Sequence, residues 1–172
     1  FEGLPSLREF TVGRACFMMQ GALAFEGYAQ LETVKMGEDS FKDFSSFTLR
    51  DCPKVKELAF YPSAFRMATN FTVQGNAQLE VVEVGSRAFG MVRSLVLENN
   101  PALRELTIYY DSFHYVQEVR LEGLSRLETV AVGEIGLDYY WDKENHELQK
   151  KWFRAQMELA KKMGLPMIVH SR

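Results

Sequence analysis

Cysteine is nearly absent from this chain. Cys16 and Cys52 form no C-x-x-C pair and no disulfide framework, so they read as free core thiols of a reducing, intracellular and cytoplasmic setting. No apolar run approaches the ~18 residues of a membrane helix. No basic start followed by an apolar stretch marks a secretion signal. Membrane partners are therefore not expected. Charge of one sign is missing as well. Lys and Arg number 20 against 23 Asp and Glu, for a net charge of −3. Without a long basic run, electrostatics alone give no sign of nucleic-acid binding. Histidine occurs three times, at His114, His146 and His170, and never as His-x-His. What the chain does have is 47% apolar residues over 172 positions, enough for a sizeable core.

Those apolar residues repeat. Leu7, Leu31, Val55, Leu79, Leu103 and Leu127 stand 24 apart. Each is followed three and five residues on by further apolar side chains, as in Val34 and Met36 or Leu106 and Ile108. A phenylalanine column recurs at Phe17, Phe41, Phe65, Phe89 and Phe113, and a second apolar pair recurs as in Leu23 and Phe25 or Leu95 and Leu97. Each unit thus holds two runs with period 2, the spacing of strands that face one core. The Phe rings are expected to stack along the axis. Glu26-Gly27, Asp51-Cys52-Pro53, Gly75-Asn76, Asn99-Asn100-Pro101 and Glu122-Gly123 supply turn residues that tolerate positive φ or fix it, so the coil bends there. The expected fold is mostly β: a solenoid of about 24-residue coils with two parallel ladders, in which stacking buries what one unit alone cannot.

The run from Met91 to Leu103, with Val92, Leu95, Leu97 and Asn100 at the key places, resembles the leucine-rich repeat. The Ala-Phe or Ser-Phe element before it (Ala64-Phe65, Ala88-Phe89, Ser112-Phe113) resembles the BspA-like subclass. The resemblance covers residues 1–137, five to six repeats, and implies a protein-interaction scaffold without catalysis, binding an unidentified protein through the repeat faces. Outward positions of the ladders carry mixed charge. Tyr61, Tyr109 and Tyr110 occupy or adjoin the column where other repeats have Gly, with Phe60 and His114 near them. They are the candidate interaction surface, since exposed Tyr groups often anchor contacts; aromatic cover over a turn is the plainer reading. Phe1-Glu2-Gly3 is in phase with Phe25-Glu26-Gly27, so the chain is expected to start within a coil, continuing from further repeats.

The pattern runs on through Leu127, Val130, Val132 and Gly133, and Leu137 falls in the Phe column. The next apolar pair would be Lys143 and Asn145, and there it fails. From Asp142 the period is helical: Leu148, Trp152, Ala155, Leu159 and Met163 step by three or four. Asp142 suits an N-cap, Lys161 and Lys162 suit the last turn, and Gly164 and Pro166 suit the stop. Leu165-Pro-Met-Ile-Val-His170 then reads as a short buried strand. Residues 129–172 thus spell one βαβ unit. Trp152, Leu148, Leu159 and the strand at 166–169 are expected to cover the open end of the solenoid.

Val132-Gly-Glu134-Ile-Gly-Leu-Asp138-Tyr-Tyr140, Phe153-Arg-Ala-Gln156 and Leu165-Pro-Met-Ile-Val-His170-Ser-Arg172 resemble the TatD family of metal-dependent deoxyribonucleases, which are TIM-barrel hydrolases. The resemblance implies that Glu134 bridges two divalent ions (Mg, Mn or Zn), that His170 binds one of them, and that Asp138 is a supporting partner. A carboxylate and an imidazole suit those roles chemically, and a two-metal site would activate water against a DNA phosphodiester. The family's His-x-His pair, its further His and its late Asp have no counterpart in these 172 residues. Three readings follow. The chain is a repeat scaffold with an incomplete, inactive nuclease segment and no metal. Or it is part of a TatD-type hydrolase, active on DNA only with the rest of the barrel. Or it is a chimera joined at wording common to both patterns. Leu127-Glu-Thr-Val-Ala-Val-Gly-Glu134 satisfies the repeat as well as Leu31-Glu-Thr-Val-Lys-Met-Gly-Glu38 does.

Overall fold

A computed structural model describes residues 4–109, 111–132, 135–137, 150, 157 and 169–171. They form thirteen strands and three sheets. The first sheet stacks β1 (Glu9–Val12), β3 (Thr33–Met36), β5 (Glu57–Phe60), β7 (Val81–Val84), β9 (Glu105–Ile108) and β11 (Thr129–Val132) in that order. The second stacks β2 (Gly21–Glu26), β4 (Phe44–Arg50), β6 (Asn70–Gln74), β8 (Ser94–Glu98) and β10 (Glu118–Glu122). Pairings within these two sheets are parallel and shifted by 24 residues, as in Val34↔Leu58 and Leu95↔Val119; one irregularity falls between Gly21 and Ala22. The 24-residue period is therefore one solenoid coil.

Alternation decides what is buried. In β6 the pattern puts Phe71 and Val73 inside and Thr72 toward the surface. Between the two ladders lies one core that includes Phe25, Phe47, Phe60, Phe65, Phe71 and Phe89, each at most 1% exposed. The Phe column stacks as the sequence predicts. Ring centroids lie 4.8 Å apart for Phe17–Phe41, 4.9 Å for Phe41–Phe65, 5.2 Å for Phe65–Phe89 and 5.6 Å for Phe89–Phe113, with interplanar angles of 8° to 11°. Rings of other columns meet these edge-on, as Phe60 meets Phe89 at 4.7 Å and 86°. Full burial of each such side chain contributes roughly 2 kcal/mol.

The turns are periodic in backbone as well as in sequence. Gly27, Asp51, Gly75, Asn99 and Gly123 all have positive φ, at the bend the sequence places there. Their N–H groups point to the next coil: Gly27 N donates to Arg50 O, Asp51 N to Gln74 O and Asn99 N to Glu122 O. Two further columns of positive φ do not announce themselves by residue type. One is Ala15, Asp39, Ser63, Arg87 and Asp111; the other is the Phe column itself. Left-handed backbone disfavours a bulky residue. Here it is held by inter-coil bonds, such as Phe65 N to Ser40 O and Phe89 N to Ala64 O, and by the stacked rings.

A hydrogen-bonded column runs inside the second bend. Cys52 N donates to Asn76 Oδ1, and Asn76 N donates to Asn100 Oδ1, each at 3.0 Å. The side-chain amides of Asn76 and Asn100 reach back to the carbonyls of Leu49 and Val73. The buried N–H groups of Cys52 and Asn76, which lie outside the strands, are satisfied this way.

The third sheet holds β12 (Ile135–Leu137) and β13 (Val169–Ser171), which pair in parallel. Between them Lys150 and Met157 are helical. Here the structure corrects one expectation. Leu137 does not continue the Phe column, because Ile135, Gly136 and Leu137 are strand residues, whereas Asp111, Ser112 and Phe113 form a turn with positive φ at both ends. The rest of the expected helix, the capping residues Leu148, Trp152 and Leu159, and positions 166–168 lie outside the described residues.

Candidate functional site

The stretch that fits both patterns is divided between two sheets. Thr129–Val132 is the last strand of the first ladder, paired with β9. Ile135–Leu137 belongs instead with β13. The division falls at Gly133-Glu134. Glu134 and Asp138, which flank β12, lie outside the described residues, so their side chains are not placed. His170 is the middle residue of β13, and its register partner is Gly136. Parallel pairing thus brings Ile135-Gly-Leu137 of one motif and His170-Ser171 of the other onto neighbouring strands.

A carboxylate and an imidazole are suitable donors for a divalent ion. Among the described residues, no group of three or more His, Cys, Asp or Glu side chains is placed to hold a metal ion.

The tyrosine surface is only partly as expected. Tyr61 follows β5 directly and is 52% exposed; Tyr109 follows β9 and is 40% exposed. They share a column but stand two coils apart, roughly 10 Å by strand spacing. Gly85 separates them. A Cβ there would lie 2.7 Å from Phe60 O and 2.8 Å from Tyr61 C, so a side chain cannot fill the gap. Tyr110 lies outside the described residues. Phe60 is not part of this surface, being 1% exposed in the core; the period-2 alternation of β5 turns it inward. His114 Nδ1 and Asp111 Oδ1 form a local hydrogen bond of 2.8 Å, and the imidazole meets the Tyr115 ring edge-on.

Around Tyr61 the ladder face is neutralised. Lys35 Nζ lies 2.9 Å from Glu57. The Glu57 hydrogen bond, opposed by some desolvation, holds the Lys35 ammonium above its ordinary range. On the other face Arg120 donates to Glu118 at 2.8 Å and also faces Glu98. That hydrogen bond holds the Glu118 carboxyl below the usual range. One column alternates in sign along the first sheet: Arg8, Glu32, Lys56, Glu80, Arg104, Glu128. Arg8 pairs with Glu32 at 3.4 Å and Arg104 with Glu128 at 3.6 Å. These exposed pairs add little stability, but they oppose any register that would stack like charges. No described helix is long and apolar enough to cross a membrane.

Comparison with known proteins bears on the C-terminal part. Residues 102–172 match the family described as TatD related DNase. That match starts at Ala102, within the solenoid, upstream of the motifs that carry the resemblance. The chain is also similar to an uncharacterized metal-dependent hydrolase, YabD, of Bacillus subtilis (strain 168), 54% identical over 39 residues. Those residues are 23% of this chain and 15% of that relative, so the chain spans a small part of its length. No solved structure matches the chain. The segment after the solenoid is thus TatD-like in sequence, and its two described strands are parallel, as in an α/β barrel.

Proposed function

We propose that this chain is a protein-interaction scaffold of the leucine-rich-repeat kind, carrying a TatD-like segment that does not by itself catalyse hydrolysis. The observation that supports it most is the continuity of the two parallel ladders from β1 to β11. They give a rigid frame with exposed Tyr61 and Tyr109 on one side of the turn. The Asn76–Asn100 column is in keeping with the repeat class, whose pattern ends in Asn or Cys. Incompleteness rests on the ligand count: Glu134 and His170 stand without a His-x-His pair. In this reading the chain works in the cytoplasm on a protein partner, and free Cys16 and Cys52 support a reducing setting.

A second reading is favoured by the family match and by the pairing of Gly136 with His170. In it the β12–β13 unit belongs to a TatD-type hydrolase that uses divalent metal on DNA, active only when the remaining barrel is supplied. Affinity capture with quantitative mass spectrometry separates the two. A partner held by the natural chain and by Glu134→Ala, but lost to Tyr61→Ala/Tyr109→Ala, is expected. A partner lost to Glu134→Ala and kept by the tyrosine variant contradicts the scaffold reading, as does DNA cleavage that disappears in Glu134→Ala and in His170→Ala.

A further inference from the structure

One corner of the solenoid, where each coil turns from the first ladder to the second, has a chemistry of its own. Residues 63–69 and 87–93 form this corner in two successive coils and contain Arg66, Arg87 and Arg93 but no acidic residue. Lys42 precedes Arg66 in the same column. The three arginines are exposed. Among the described residues, none of these four cations has a carboxylate at ion-pair distance, whereas Arg8, Arg50 and Arg104 each pair with a Glu of an adjacent coil. The chain as a whole carries −3, so a positive corner is not a by-product of composition. Asp43 stands one coil before Met67 in the next column.

Apolar exposure falls on the same corner. Met67 is 47% and Met91 37% exposed. They occupy one column on adjacent coils, about 4.8 Å apart by strand spacing. Tyr115, 52% exposed on the next coil, continues the stripe, which Asp43 ends on the other side. Thioether side chains adapt their shape to an apolar partner. The apolar residues of a helix recur at i and i+4, roughly 5–6 Å apart on one face, close to the coil spacing. A helix laid along the solenoid axis therefore meets successive coils turn by turn. Nucleic acid would suit the arginines but would set phosphates against the methionine stripe.

We propose that this corner docks an acidic amphipathic helix of a partner protein, with apolar i, i+4 residues on Met67 and Met91 and carboxylates against Arg66, Arg87 and Arg93. The proposal rests on the scaffold reading and adds the chemistry of the partner. Gly90 offers a clean test. It shares the column of Lys42 and Arg66, and an added Cβ would meet only Arg66 O at 3.6 Å, so Gly90→Glu is accommodated and places an acid among the arginines. Fluorescence anisotropy with the full chain uses a labelled helical peptide of about fifteen residues with Leu at i, i+4 and Glu on both flanks. Its controls are the Leu→Ser peptide, the Glu→Lys peptide and a single-stranded DNA oligomer. The Leu/Glu peptide is expected to bind about tenfold or more tighter than every control. Gly90→Glu and Met67→Ser/Met91→Ser are each expected to weaken it about fivefold or more, with melting unchanged. No binding, equal binding of the Ser peptide or the DNA, or indifference to Gly90→Glu overturns the proposal. If the peptide fails while a captured partner is still lost to Tyr61→Ala/Tyr109→Ala, the corner is excluded and the scaffold reading stands; if both fail, the scaffold reading falls too.

Discussion

Gly136 lies opposite His170 across the parallel pair of β12 and β13, while Val132, four residues earlier, lies opposite Ile108 in the ladder of the solenoid. One short string thus serves two sheets. The repeat supplies its first half with neighbours on the preceding coil. The TatD-like pattern supplies its second half with a partner more than thirty residues downstream.

The stacked phenylalanines set the stability of the solenoid, and their positions predict a gradient. Phe65→Ala removes a fully buried ring flanked by Phe41 and Phe89; it is expected to cost about 3–5 kcal/mol in urea denaturation. Phe17→Ala, at a ring 49% exposed, is expected to cost less than half as much. Equal effects would mean that the column is not a packed stack.

Asn76 closes the inner bend by hydrogen bonds rather than by packing. Asn76→Ala leaves the buried Cys52 N–H without its acceptor and removes the amide bond to the Leu49 carbonyl. Each unsatisfied group costs about 1–3 kcal/mol. Cys52→Asn extends the column by one coil and is expected to melt within a few degrees of the natural protein, which differential scanning calorimetry would check.

Cys52 also gives a pH dependence. Burial pushes its thiol up, against the smaller opposing effect of the Tyr28 N–H. A raised folded-state value means the folded state holds its proton longer than the unfolded one. The contribution is complete below the unfolded thiol value of about 8.5 and is lost as pH rises above it. The natural chain is expected to lose more stability between neutral and alkaline pH than Cys52→Asn does; parallel curves would contradict the assignment.

Much of this architecture is legible in the sequence because a solenoid is nearly one-dimensional. A side chain at position n meets those at n−24 and n+24, so columns such as Val34, Leu58 and Val82 fix register without long-range guesswork. Less legible is what does not follow from hydrophobic period. Nothing in Arg87 or Phe89 announces a left-handed backbone, which arises from inter-coil hydrogen bonds. Leu137 is apolar and in phase, yet its strand partner is Ser171 and no repeat neighbour. The corner of Arg66, Met67 and Met91 emerges only when coils are stacked. The candidate metal residues are legible solely through motif resemblance, and the described geometry reaches the backbone of His170 alone.

On the scaffold reading, Glu134 and His170 retain the wording of a metal site without its ligand set. Isothermal titration of this chain with Mn²⁺ or Zn²⁺ tests it most directly. The prediction is no binding tighter than about 1 mM, with heats indistinguishable between the natural chain, Glu134→Ala and His170→Ala. Binding about a thousandfold tighter that disappears in both variants would contradict it.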